Sequence, residues 1–561
     1  MTRPRMPLGN DIFEKLRQDG SYYIDKTGLI SDLIKDKDNE VTLFTRPRRF
    51  GKTLNMSMLD CFFDISRDSK SLFEGLTVSE DKELCAEYMN QYPTVFFSFK
   101  EISGLTFKSA YAKLCDMFSM FCSGHVFLLE KVLETAEREK FERIKSKTAP
   151  QEEVENFIFF ISKLLHDYYN KPVIILIDEY DVPASYANEN GYYREMIDLI
   201  RSMFSVALKT NPYLKFAVIT GCLRITKESI FTGTNNFKSY SLSNTAFSRY
   251  FGFTEPEVQR LLADCQMSKL SDNIKEWYEG YIFGSTEVYC PWDVLNYVSD
   301  LFDNPKTTPK NYWRNTSHNG IIRQFVERTD YDVTDRFETL LNGGTIEQRV
   351  VEELTYDEVF SKEENLWSLL YMTGYLTKAK KDERGNILTL RIPNKEVAGI
   401  FEDTVVSWFE DSIDRSKQAE LMQAFWNGNE EQVSKLVTDF LWQTISYHDY
   451  HENYYHAFLL GIFMGIGYAQ ESNKEYGLGR PDIVIKDKAH RRIMILKTKF
   501  AKSKEGLPKK CDEALDQIER DEYCKGVPDG YESIMCYGVA FWKKRCMVKL
   551  YKGSYDENND R

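Results

Sequence analysis

The chain has 561 residues, 42% of them hydrophobic, and its 73 basic against 86 acidic residues leave a formal net charge of −13. That length calls for several domains rather than one core, and the acidic balance excludes bulk coating of nucleic acid or anionic membrane while leaving room for local basic patches. The eleven cysteines include no C-x-x-C spacing, and "MTRPRMPLGNDIFEKL" has no apolar signal core; with no run approaching ~18 apolar residues, the expectation is a reduced, cytoplasmic protein without a membrane span.

In chain order, the first part alternates short apolar runs with helical patterns. "EVTLFT" (40–45), "YPTVFFSF" (92–99), "KPVIILID" (171–178) and "LKFAVIT" (214–220) are nearly all apolar, as strands covered on both faces are. "TLNMSMLDCFFD" and "VENFIFFISKLLHDYY" are helical between them, which predicts a parallel α/β sheet. At about residue 255 the pattern changes. Thr254 followed by Glu257 spells a capping box, and helices dominate to about 440, with breaks at 303–311 and 341–345. The last part reads helix (452–465), strand (481–486), strand (493–499), helix (509–523) and a closing strand pair. The expected fold is therefore multidomain α/β: residues 1–255, a helical region over 256–440, and a separate α/β domain over 441–561.

"TRPRRFGKTLNMSM" follows the first strand and opens a helix. A phosphate-binding loop needs backbone amides around the phosphate, a lysine for the β/γ oxygens and a hydroxyl for Mg²⁺. Gly51, Lys52 and Thr53 supply the end of that pattern, at a helix N-terminus whose dipole favours anions. Arg46 stands where the general pattern has glycine. "VIILIDEYD" ends a strand in Asp178 and Glu179; the first suits Mg²⁺, the second suits orienting water. Thr220, at the end of "LKFAVIT", is a candidate γ-phosphate sensor or a structural threonine. Arg48 and Arg49, flanked by Phe50, either clamp phosphate or are solvated loop charges.

Together "YYIDKTGLI", "RPRRFGKT", "LIDEYDVP", "TGCLRITKESIFTGTNN", "FGFTEPEV" and "GYIFG…PWDVL" resemble the bacterial AAA-ATPase-like proteins that carry a C-terminal PD-(D/E)XK nuclease-superfamily domain. The resemblance spans nearly the whole chain. It implies ATP and Mg²⁺ as ligands, and the family shares the arginine at the position of Arg46. It also implies a helix–strand–strand–helix–strand core at the C-terminus with Asp482 as metal ligand, Lys499 as the lysine of E-x-K, Glu452 as a helical carboxylate and Gln517 as a helix glutamine.

The acidic member of E-x-K is missing: the position two before Lys499 is Lys497. Residues i and i+2 of a strand face one side, so both ammoniums are expected at the metal pocket, each like-charge contact costing roughly several kcal/mol. Lysine offers no hard oxygen to Mg²⁺. Glu452 and Asp482 remain as metal ligands, and Glu475 is either a replacement carboxylate or a loop charge. Residues 486–510 carry ten basic residues against Asp487 and Glu505, so the domain is expected to hold nucleic acid, in the first instance DNA, through Lys497, Lys499, Arg491 and Arg492. The same stretch also reads as an exposed hairpin. His451 and His456 are five apart and off a common helix face, which argues against a zinc site of the H-E-x-x-H kind.

Three functions compete: an ATPase controlling a nucleic-acid-binding domain with impaired cleavage, an ATP-regulated Mg²⁺-dependent DNA nuclease, and an ATP-dependent switch with a protein partner. A homo-oligomer completing the ATP site is compatible with all three.

Overall fold

The computed structural model describes residues 3–36, 40–131, 134–209, 211–224, 237–313, 334–359, 361–381, 385–412, 415–444, 452–464, 469–472, 479, 481–528 and 530–551. It divides into two compact units, Met1–Ser317 with Glu347–Val397, and His318–Ile346 with Ala398–Arg561.

The first unit is built on a five-stranded parallel sheet: β1 (Val41–Thr45), β2 (Thr94–Ser98), β3 (Val173–Asp178), β4 (Leu214–Gly221) and β5 (Phe237–Tyr240), in the order β2-β3-β4-β1-β5. All residues of β1 and β3 are buried, as their apolar runs require when helices cover both faces. The helix Lys52–Phe63 follows β1 and is buried along most of its length. This order inserts β4 between β1 and β3. The carboxyl ends of β1 and β3 therefore flank Thr220 and Gly221, at the sheet edge where α/β folds hold ligands.

Beyond the sheet, the Glu257 carboxylate accepts the Thr254 N–H at 2.7 Å and starts the helix Glu255–Asp264. Lys26 adds an ion pair to Glu257 at 2.6 Å. The middle region is not purely helical. It holds the hairpin β6 (Tyr281–Phe283) and β7 (Thr286–Val288), and a small sheet of β8 (Ile346–Arg349), β9 (Thr377–Lys378) and β10 (Ile387–Arg391).

The second unit carries a mixed sheet in sequential order: β11 (Ala469–Ser472), β12 (Ile483–Asp487), β13 (Arg492–Phe500), β14 (Ser533–Trp542) and β15 (Arg545–Leu550). β13 and β14 run parallel and the other pairs antiparallel. The helix Leu507–Arg520 makes the crossover that a parallel pair demands. The helix Glu430–Thr444 docks along β15: Glu430, Ser434 and Thr438 side chains accept the N–H groups of Leu550, Val548 and Cys546 at 2.9, 2.9 and 3.0 Å. An exposed edge strand is thus capped, and this helix belongs with the C-terminal sheet although the sequence places a boundary at 440.

Candidate functional site

The first site forms where β1 turns into its helix. Gly51 caps that helix with φ +82°, a left-handed conformation that costs other residues energy and glycine little. Arg49 also has positive φ, +71°. Among the described residues, no acceptor receives the N–H groups of Arg48 through Leu54. They form a run of backbone donors at a helix N-terminus.

Lys52 is buried inside this loop. Its Nζ donates to the carbonyls of Arg46 and Pro47 at 3.2 and 3.1 Å, to Cys222 Sγ at 3.5 Å, and pairs with Glu179 Oε1 at 3.2 Å. Burial works against the ammonium, but Cys222, Glu179, Asp178 and Asp181 outweigh it and hold the lysine protonated. Thr53 Oγ1 donates to Asp178 Oδ2 at 2.8 Å, and Ser98 approaches the same oxygen at 3.3 Å. Burial, then the neighbouring Glu179, raises the Asp178 pKa.

Glu179 adopts φ +54° and leaves Oε2 buried without a hydrogen-bond partner among the described residues. Asp181 Oδ2 accepts the N–H groups of Cys222 and Leu223 at 3.0 and 2.9 Å. This ties the loop after β3 to the loop after β4. Gly221 permits that approach, since a Cβ there would lie 2.6 Å from Tyr180 and 2.7 Å from Asp181.

The structure gives Thr220, Phe50 and Arg46 definite places. The Thr220 hydroxyl donates to Asp178 Oδ1 at 2.5 Å. Its one proton is committed to the carboxylate, so it braces Asp178 instead of presenting a donor to phosphate. The Phe50 ring is core, packed on Tyr281 and Phe283 with centroids 4.9 and 5.0 Å away; only its backbone is left for a ligand. Arg46 is fully buried under the loop. Its Nη1 donates to Thr45 and Tyr240 carbonyls at 2.8 and 2.9 Å, and its guanidinium lies over Phe251 and Phe283. Burial lowers its pKa to about 10, so it stays charged at neutral pH. Arg49 lies over the Trp292 ring at 4.3 Å, whereas Arg48 is half-buried with no ion pair among the described residues.

Sequence reasoning missed Asp181, legible as the last residue of "DEYD", and Cys222. It also missed a buried carboxyl pair, Asp293 and Glu396. Glu396 Oε1 accepts the N–H groups of Tyr312 and Trp313, and the buried Asp293 carboxyl lies against Glu396 and Cys290.

The second site lies on β12 and β13. Their antiparallel register, Ile483 opposite Leu496, brings Asp482 against Lys497. Lys497 Nζ meets Asp482 Oδ1 at 2.7 Å, with the two side chains only 12% and 17% exposed. Thr498 N and Oγ1 donate to Oδ2 at 2.6 and 2.7 Å. The expected clash of two lysines is therefore not what forms: Lys497 supplies the positive charge that Asp482 needs, and Lys499 makes no ion pair among the described residues. Gln517 Nε2 donates to Asp521 and the Tyr523 hydroxyl at 3.2 and 3.3 Å. Glu452 begins the helix Glu452–Met464; its side chain, that of His456, and residues His451 and Glu475 lie outside the described residues. No group of three or more metal-ligating side chains occurs among the described residues.

The basic stretch is partly neutralised. Arg491 pairs with Glu532, Arg492 with Asp487 at 2.8 Å, and Lys510 with Glu513. Lys488, Lys499, Lys502, Lys504 and Lys509 make no such pair among the described residues. No helix among the described residues is long and apolar enough to cross a membrane.

Comparison with known proteins agrees with this division. Residues 7–231 match the family model described as a predicted AAA-ATPase, and residues 450–550 match that of the PD-(D/E)XK nuclease superfamily. A protein of Azotobacter chroococcum mcd 1, described as an uncharacterized protein in the vnfD 5' region, is 25% identical over 414 residues, 72% of this chain and 70% of its own length.

Proposed function

We propose that this chain, which carries a predicted AAA-ATPase domain and a PD-(D/E)XK nuclease-superfamily domain, binds and hydrolyses ATP in the first and couples nucleotide state to nucleic-acid binding by the second, with cleavage impaired. The observation that carries the first half is the convergence of Lys52 and Thr53 with Glu179 and Asp178 across the carboxyl ends of β1 and β3.

The residues fit an NTP with Mg²⁺. Thr53 and Asp178 are hard oxygen donors, the N–H groups of Arg48 through Leu54 lack acceptors among the described residues, and the Glu179 Oε2 is buried without a partner among them. Bound Mg²⁺ would neutralise phosphate charge. Lys52 exchanges Glu179 and the loop carbonyls for phosphate oxygens. Glu179, released from that ion pair, orients and accepts a proton from water. Ser98 and Thr220 hold Asp178 in place.

The described residues of the second site do not fit Mg²⁺. Both oxygens of Asp482 are already engaged, one by a cation. The domain then contacts phosphodiesters through Lys499 and neighbouring lysines, a salt-sensitive interaction. The partly paired basic stretch supports a second reading, an ATP-dependent switch with a protein partner.

The test is ATP hydrolysis with Mg²⁺, with and without DNA, on wild type and Lys52→Ala. Wild-type turnover that DNA stimulates and Lys52→Ala lowers about 10²-fold or more supports the proposal. Turnover indifferent to DNA and RNA favours the protein switch, and no turnover refutes the ATPase.

A further inference from the structure

The second unit brings together two cysteine sulfurs that belong to neither site. Cys536 is buried on β14, opposite Ile495 of β13. Cys524 is half-buried in the short turn Tyr523–Gly526 that follows the helix Leu507–Arg520. Their Sγ atoms are 2.7 Å apart, not far beyond the ~2.05 Å of an S–S bond. Both belong to one apolar cluster with Val484, Ile493, Ile518 and Tyr523. Cysteines often serve such clusters as small apolar side chains. That role does not call for sulfur meeting sulfur, nor for one of the two reaching solvent. No other two cysteines share a hydrogen bond among the described residues.

We propose that Cys524 and Cys536 form a reversible dithiol–disulfide switch, a modification site for oxidants of the hydroperoxide class. The more accessible Cys524 acts first. Its thiolate attacks one oxygen of hydrogen peroxide, the O–O bond breaks, and the departing hydroxide takes up the proton the thiol released, so that a sulfenic acid and one water result. The Cys536 sulfur then attacks the Cys524 sulfur; the S–S bond forms and the sulfenic oxygen leaves as a second water, taking the Cys536 proton. Two thiols lose two electrons and the peroxide gains them. In a reducing compartment the dithiol is restored by exchange with an external thiol.

The bond would anchor the turn to the central sheet. Next to Cys524, the Tyr523 hydroxyl meets Gln517 and Asp521, and the Asp482 carboxylate is near enough to help raise its pKa, after burial and Asp521. Oxidation thereby fixes one wall beside Asp482. This inference is independent of the nucleotide site.

The experiment uses the full chain, reduced, desalted and treated with hydrogen peroxide. It is then denatured, alkylated and peptide-mapped without reductant. The expected product is a cross-linked peptide joining Cys524 to Cys536, lighter than the two separate peptides by two hydrogen atoms and lost on adding dithiothreitol. Cys524→Ser should abolish it and leave Cys536 alkylatable. Cys536→Ser should leave Cys524 as a sulfenic acid that dimedone traps. Recovery of both cysteines separately alkylated from treated wild type, or of Cys524 joined to a different cysteine, overturns the proposal. Cys524, being half-exposed, gives a variant that decides the matter even where Cys536→Ser does not fold.

Discussion

At the scale of single residues, Arg46 and Lys497 both stand where a general pattern has something else, and each has a local solution. Arg46 fills a buried site that glycine would leave empty. Arg46→Gly, which reinstates the general loop pattern, is therefore expected to destabilise the protein by about 3 kcal/mol or more. Arg46→Met keeps most of the volume and removes a guanidinium whose Nε and Nη2 lack hydrogen-bond partners among the described residues; it should stay within about 1.5 kcal/mol of wild type in urea unfolding. Lys497→Glu places a carboxylate beside Asp482 and frees Asp482 Oδ1. Mg²⁺-dependent cleavage of plasmid DNA by this variant, absent in wild type, would show the remaining ligands to be in place; continued inactivity would show a wider loss. The lysine itself was legible in the sequence, but its effect was not. Strand periodicity paired it with Lys499 on its own strand, whereas the cross-strand register pairs it with Asp482.

At the scale of elements, the strands that the sequence announces are those buried on both faces. Runs such as "VIILID" admit few alternatives, and β1 to β4 form where they predict. β5 (FKSY) and β11 (AQES) are short, half-polar edge strands with no such signal, so they were not legible. Nor was the meeting of Asp293, on the helix Pro291–Asp303, with Glu396, some hundred residues later. Burial raises the Glu396 pKa, and Asp293 raises it further. A carboxyl whose folded pKa lies above its unfolded value contributes stability at low pH that is lost as pH rises from the ordinary carboxyl range through the folded pKa. The N-terminal unit should therefore lose stability from about pH 5 into the alkaline range. Glu396→Gln retains an acceptor for the Tyr312 and Trp313 N–H groups and removes the titration. Its melting temperature should fall less than that of wild type between acidic and alkaline buffer, a difference worth more than about 1 kcal/mol. Parallel curves would place the pair's proton elsewhere.

At the scale of the whole molecule, the two halves announce themselves differently. The N-terminal site was legible because its chemistry sits at strand ends in a fixed order. The division of the chain was less so: the docking of Glu430–Thr444 onto β15 rests on side-chain hydrogen bonds to an edge strand, which no composition shift marks. Charge also reads differently once folded. Ten basic residues between 486 and 510 promise a strong phosphate-binding face, yet several are spent on carboxylates. Nucleic-acid affinity should accordingly fall with salt at a log–log slope no steeper than about −5, and Lys499→Ala should make it shallower by about 1. A slope unchanged by Lys499→Ala would remove this face from consideration. The pairing of Asp482 with Lys497 has one more consequence. A metal ion can be stripped away, whereas an ammonium bonded into the chain cannot be diluted or chelated. The domain should keep the same charge and fold in EDTA as in excess magnesium.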